Sequence, residues 1–195
     1  MSTTENRIPL RRAQMIADRF ITYLSPFCSK VCVAGSVRRE AEYCGDVEVC
    51  ALPLDEFSMI QAFPPNYPGL VVDGGRLKRF KYPDKGLQIE LYLPQSFDYG
   101  RILAIRTGNA AYARMQLMTQ ANRLGWIGTS DGLRRKKECE KRGGVWKILP
   151  EYKLSPTKPP EFPDEESFFE FIQIPWVHPK ERSWITQKAG YDYSK

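Results

Sequence analysis

The chain has 195 residues, enough to bury a core as one large domain or as two small lobes sharing an interface. Its 29 Lys and Arg against 23 Asp and Glu leave a net charge of +6, a balance that favours polyanionic partners such as nucleic acid or nucleotide phosphate. Five cysteines without CxxC spacing and a single His178 leave few soft ligands for zinc and point to a reducing, intracellular and cytoplasmic setting.

The first residues, MSTTENRIPLRR, lack an apolar signal core, and no window reaches the roughly eighteen apolar residues of a membrane span, so a membrane partner is not expected. The STTEN stretch and the last few residues are expected to fray. Leu10, Ala13, Ile16, Ala17, Phe20 and Leu24 recur at three-to-four spacing and predict an amphipathic helix over 9–25, opened by Pro9. VCVAGS (31–36) reads as a short strand ending in a Gly-Ser turn. In DVEVCAL (46–52) Val47, Val49 and Ala51 alternate with Asp46, Glu48 and Cys50, which puts both carboxylates on one face of one strand.

A Pro-rich loop (64–69) follows, then strand-like runs separated by the turn signals Asp73-Gly74-Gly75 and Asp84-Lys85-Gly86. The last run, LQIELYL, sets a third carboxylate, Glu90, between Ile89 and Leu91. Residues 109–124 have a helical pattern stopped by Gly125. The segment LRRKKECEKRGGVWKILPEYKL (133–154) combines a cationic run with Gly143-Gly144 and predicts an extended basic hairpin or loop. In the tail, Asp164 is the expected N-cap of a short helix that carries Glu165 and Glu166 in its first turn and ends before Pro175.

If the strands of Asp46, Glu48 and Glu90 pair, three carboxylates converge on one patch. Packed carboxylates repel, so such a patch calls for cations, and an all-oxygen ligand set selects Mg²⁺ or Mn²⁺. Gly35-Ser36 offers a hydroxyl and backbone N–H groups, and Arg38 or Arg39 a planar fork suited to polyphosphate oxygens. These are the parts of a metal-assisted phosphoryl transfer.

The stretch G-S-x-R-R-x-x-x-x-x-G-D-x-E (35–48) resembles the nucleotidyltransferase signature of family X DNA polymerases, the group of DNA polymerase beta. Further matches follow in order: QIELYLP, RTG, ANRLGW, SDGLRR and the terminal FPDEESFFEFIQIPWVHPKERS. Together they span roughly residues 9–183. The resemblance implies an α/β (or α+β) fold: a nucleotidyltransferase palm with a mixed β-sheet over 9–97, then a smaller thumb-like subdomain over 98–195. It implies that Asp46, Glu48 and Glu90 bind catalytic metal, and that Gly35, Ser36, Arg39 and Gly45 line the triphosphate site. Thr107 and Gly108 would then flank the nucleotide sugar and base, with Arg114 beside the nascent base pair.

The partners implied are nucleoside triphosphates and gapped or primer–template DNA, bound by a monomer that fills gaps in repair. With no room for the family's lyase and helix-hairpin-helix lobes, the layout is similar to compact viral repair polymerases. DNA grip then falls to Arg134, Arg135, Lys136, Lys137 and Lys141.

The chain also departs from the family. Glu48 and Glu90 stand where the polymerases have Asp, each carboxylate displaced by about one bond or 1.5 Å. Ile105 and Arg106 replace an aromatic pair that screens the sugar, and Gln88 replaces a residue that is often basic. The spacing from Gly108 to Gly125 is slightly long. Two other readings remain: a template-independent transferase acting on RNA, a protein or a small molecule, and a DNA-binding module of the same fold without catalysis. Arg38 is expected to be a structural partner, and Trp146 to be packed.

Overall fold

The computed structural model describes residues 7–55, 57–83, 87–154 and 157–183. The turn signal at Asp84-Lys85-Gly86 and the fraying expected of both termini lie outside them.

A short strand β1 (Ile8–Pro9) leads into helix α1 (Leu10–Leu24), with Pro9 outside the helix as its N-cap. Strand β2 (Cys28–Val33) runs into α2 (Gly35–Arg38), so the expected Gly-Ser turn is the first turn of a four-residue helix. After β3 (Tyr43–Cys44) comes β4 (Asp46–Pro53), then the short helix α3 (Ser58–Ala62), β5 (Leu70–Asp73), β6 (Leu77–Lys81) and β7 (Gln88–Tyr92).

These strands form a five-stranded mixed sheet in the order β2-β4-β7-β6-β5. Only β4 and β7 among its neighbouring pairs run parallel. The fold is therefore α/β with a mixed sheet, as expected. Alternation along β4 assigns the two faces. Val47, Val49 and Ala51 pack with Ala13, Ile16, Ala17 and Leu24 of α1 in one buried cluster. Cys50 and Leu52 face the other way and pack with Tyr92, Tyr99 and Leu103.

Tyr99 and Leu103 belong to helix α4 (Tyr99–Thr107), which covers that second face. Beyond it, α5 (Ala110–Tyr112), a π-helical segment (Ala113–Met118) and α6 (Thr119–Arg123) run on as one continuous helix. The wider π turn uses more residues per unit length, and it takes up the long spacing between Gly108 and Gly125. Two antiparallel hairpins follow, β8 (Trp126–Thr129) with β9 (Gly132–Arg135), and β10 (Cys139–Arg142) with β11 (Val145–Ile148), the second closed by Gly143-Gly144. Helix α7 (Glu165–Phe171) begins at Asp164, whose carboxylate accepts from the Ser167 N–H at 2.9 Å.

Phe162, Phe168, Phe169 and Ile172 are essentially buried against Leu117, Trp126 and Leu133, forming a core of the C-terminal half. Each such side chain contributes about 1.5–3 kcal/mol through burial. The halves meet where α4 starts: the Gly100 N–H donates to the Phe162 carbonyl at 2.8 Å, and a Cβ at Gly100 would overlap the Asp164 carbonyl and come within 2.9 Å of the Glu165 nitrogen. That close approach sets the first turn of α7 against the sheet-covering helix. Among the described residues no helix is long and apolar enough to cross a membrane.

Candidate active site

The parallel pairing of β4 with β7 puts Glu48 opposite Glu90, and the antiparallel pairing of β6 with β7 puts Arg79 opposite Glu90. Three neighbouring strands thus carry one row, Glu48, Glu90 and Arg79, with Asp46 two residues before Glu48 on the same face. It is the face that α4 covers over Cys50 and Tyr92, and the carboxylates lie nearer the start of β4 and β7. The sheet register brings Asp46, Glu48 and Glu90 together as the sequence suggested.

Burial, together with the charge of Asp46, pushes the Glu48 carboxyl from its ordinary 4.5 to about 7; Glu90 adds to the rise, and Arg106 and Arg39 oppose it. Asp46 is raised as well, by burial first and then by Glu90. Glu90 is differently placed. Arg79 donates from Nε to Glu90 Oε1 at 2.8 Å and sets a second nitrogen 2.6 Å from the same oxygen. The Tyr92 hydroxyl donates to Oε2, and the Arg106 guanidinium lies 4.0 Å over the Tyr92 ring.

Helix α2 closes the site from the side. Gly35 has φ +61°, and a Cβ there would overlap the Glu48 carboxylate, 2.9 Å from its Cδ, so both backbone and space require glycine. The Ser36 hydroxyl and Arg39 Nε are buried without a hydrogen-bond partner among the described residues, the Cys44 thiol lying beside Ser36. Two orphaned polar atoms at one edge of a carboxylate patch are unusual, because buried polar groups are almost always paired. Gly45 has nothing within 4 Å of where its Cβ would lie.

Thr107 is fully buried between the two arginines of α2. Its hydroxyl accepts from Arg38 and its carbonyl from Arg39, each at 2.7 Å. Gly108 sits so close to Tyr112 that a Cβ would come 2.7 Å from the ring. Arg38, read as structural from the sequence, forks onto Glu165 at 2.8 and 2.7 Å. The fully buried Arg182 grips the same carboxylate from the other side, stacks on Phe169 and Trp176, and donates from Nε to the Val177 carbonyl at 2.8 Å. His178 is exposed, and its Nδ1 accepts from the Lys180 N–H at 3.3 Å.

The basic segment divides. Lys136, Lys137 and Lys141 are exposed, and so is Arg114 on the π segment. Arg135 is exposed with its guanidinium 4.0 Å over Trp126, and with Lys136 and Lys137 it lines an open cleft of about 790 Å³. Arg134 does not join them. It is buried and donates to the Thr157 carbonyl at 2.8 Å. Glu138, which dilutes the charge in the sequence, is also turned inward, accepting from the Thr157 N–H and hydroxyl. Trp146 is half-buried, opposite Lys141.

Arg79, Tyr92, Glu165 and Arg182 escape sequence reasoning, because their partners appear only once strand register and the placement of α7 are known. Among the described residues no group of three or more His, Cys, Asp or Glu is arranged to hold a metal ion. Asp46 and Glu48, half-buried, mutually repelling and all-oxygen, fit a divalent cation of the Mg²⁺ or Mn²⁺ kind. Glu90 joins them only by turning from Arg79. No protein-family model matches the chain, and no curated protein matches it.

Proposed function

We propose that the chain is a metal-dependent nucleotidyltransferase of the family X DNA polymerase type, adding nucleotides to a primer 3′-hydroxyl in gapped DNA. One observation carries this reading: three carboxylates on adjacent strands face a Gly-Ser helical turn whose Ser36 hydroxyl and Arg39 Nε are buried and unpartnered. Such a site combines a demand for cations with donors waiting for an anion, and a metal-chelated triphosphate satisfies both.

Asp46 and Glu48 would hold the metal, with Glu90 as the third ligand once released. A bound Mg²⁺ or Mn²⁺ supplies Lewis-acid stabilisation and eases deprotonation of the attacking hydroxyl. Ser36 and Arg39 hold the triphosphate oxygens, and the open space at Gly45 admits them. The primer 3′-oxygen forms the new bond to the α-phosphorus as the bond to the bridging oxygen breaks, and pyrophosphate leaves with its charge on Arg39. Glu90 helps take the hydroxyl proton. Thr107, tied to both arginines of α2, fixes the position of Arg39, and Gly108 keeps the turn beside it narrow. The exposed Arg114, Arg135, Lys136, Lys137 and Lys141 supply phosphate contacts to duplex DNA.

A second reading, a nucleic-acid-binding module without turnover, is favoured by the engagement of both Glu90 oxygens with Arg79 and Tyr92. Extension of a labelled primer on gapped, nicked and single-stranded DNA, with each dNTP and rNTP in Mg²⁺ and in Mn²⁺, separates the two. Template-directed addition that disappears in Asp46→Asn establishes the polymerase. No addition under any condition, with DNA binding retained, establishes the silent module.

A further inference from the structure

Arg79 stands out among the charges around the carboxylate patch. Arg39 and Arg106 moderate Glu48 without a hydrogen bond to any of the three carboxylates, whereas Arg79 reaches Glu90 with two nitrogens on one oxygen. Its position is fixed by the sheet, because Arg79 is the direct cross-strand partner of Glu90. Opposite charges so placed attract. The other Glu90 oxygen takes the Tyr92 hydroxyl, so the carboxylate is held at both oxygens. A guanidinium is always protonated and cannot vacate the site by losing its charge.

We propose that Arg79 is a resident counter-ion of Glu90 that competes with the divalent cation for this carboxylate, so that Arg79 sets how tightly the site takes metal; this rests on the reading of Asp46, Glu48 and Glu90 as a metal site. The two positive charges cannot share Oε1 at close range without strong repulsion, since a unit charge a few ångströms from a dication is repelled even when well screened. Metal bound by the protein alone is therefore weak. A triphosphate adds its own oxygen ligands and negative charge, and restores the balance in favour of the metal. Arg79 thereby couples metal uptake to nucleotide uptake, acting as a positioning residue on Glu90 without touching the reacting atoms.

The test is Mn²⁺ binding by the whole chain, read from the electron paramagnetic resonance signal of free Mn²⁺, with and without a non-hydrolysable α,β-imido deoxynucleoside triphosphate. The proteins compared are wild type, Arg79→Met, Arg79→Lys and Asp46→Asn. Arg79→Met keeps the apolar stem and removes the charge, and Arg79 is partly exposed, so the fold is expected to persist; near-ultraviolet circular dichroism checks that it does. The expected result is Mn²⁺ affinity about tenfold higher in Arg79→Met without nucleotide, a smaller further gain on adding nucleotide than in wild type, and wild-type behaviour in Arg79→Lys. Equal or weaker Mn²⁺ binding by a folded Arg79→Met overturns the proposal and makes Arg79 a prop for Glu90, while the metal-site reading stands. Wild-type Mn²⁺ binding that is absent even with the nucleotide present, or that persists in Asp46→Asn, overturns the metal site itself and the proposal with it.

Discussion

Two ionic clusters, one buried and one half-buried, lie within one helix of each other, and they are built on opposite terms. At Glu165 one carboxylate receives two guanidinium forks, from Arg38 and Arg182, so both of its oxygens are hydrogen-bonded and the cluster is closed. At the sheet, three carboxylates share one directly bonded cation among the described residues, Arg79, and burial with mutual repulsion lifts Glu48 to about 7. The first cluster joins α2 to α7 and needs nothing more. In the second only Arg79, among the described residues, bonds a carboxylate directly, while Arg7, Arg39 and Arg106 act on Asp46 or Glu48 through charge and two donors lack a partner among the described residues. Direct pairing, more than burial or the mere presence of acids, separates a latch from a site that asks for a ligand.

Mutations sharpen or break that contrast. Asp46→Asn should lower nucleotidyl transfer by at least about a thousandfold while circular dichroism and melting temperature stay near wild type, since it removes a ligand and leaves packing alone. Substantial residual turnover would move the metal site elsewhere. Glu165→Ala should do the reverse, destabilising the fold by about 3–5 kcal/mol because the buried Arg182 and the half-buried Arg38 lose their carboxylate, a drop of roughly 10 °C in melting temperature. A melting temperature within a degree or two of wild type would mean the latch is not structural. Arg39→Ala should raise the apparent KM for nucleotide by about tenfold with a smaller effect on kcat.

Neutralising Lys136, Lys137 and Lys141 together should weaken DNA binding and make its salt dependence shallower, the logarithmic slope falling by about 0.9 for each phosphate that the protein no longer neutralises. Unchanged affinity and slope would return that run to a solvated surface. The smallest effect concerns pH. The folded pKa of Glu48 lies above its unfolded value, so its contribution to stability is complete below about 4.5 and is lost as pH rises through about 7. In EDTA the melting temperature should fall over that interval, and Glu48→Gln should flatten the fall.

Much of this is legible in the chain because it is local. The three-to-four spacing of Ala13, Ile16, Ala17 and Leu24 marks α1, alternation in DVEVCAL marks both faces of β4, and Asp164 caps α7 as its side chain requires. The adjacency of Asp46, Glu48 and Glu90 can be posed only as a condition, since strand pairing is a long-range event. What stays hidden depends on register. Arg79 is one cation among several in LKRFK until β6 docks beside β7, and Glu165 reads as an exposed first-turn acid until Gly100 draws α7 against α4. Helix α3 leaves no signal because five residues, capped by Asp55 through Phe57 and Ser58, are too few to show a period. Arg134 reads as a DNA contact, and its burial with the guanidinium on the Thr157 carbonyl is concealed by the basic run that contains it.

The π turn at 113–118 bears on how this molecule can change. Asn109 caps one end of the continuous helix through the Tyr112 N–H, and Gly125 terminates the other, so both ends are anchored. A residue deleted between those anchors leaves a regular α-helix of nearly the same length, in which the side chains on either side of the wide turn keep their directions, because the extra residue is confined to that turn. The wide turn is thus a phase adjuster. Single-residue loss within it re-aims the side chains of the turn itself, Arg114 among them, and leaves Ala121 beyond it packed in the core.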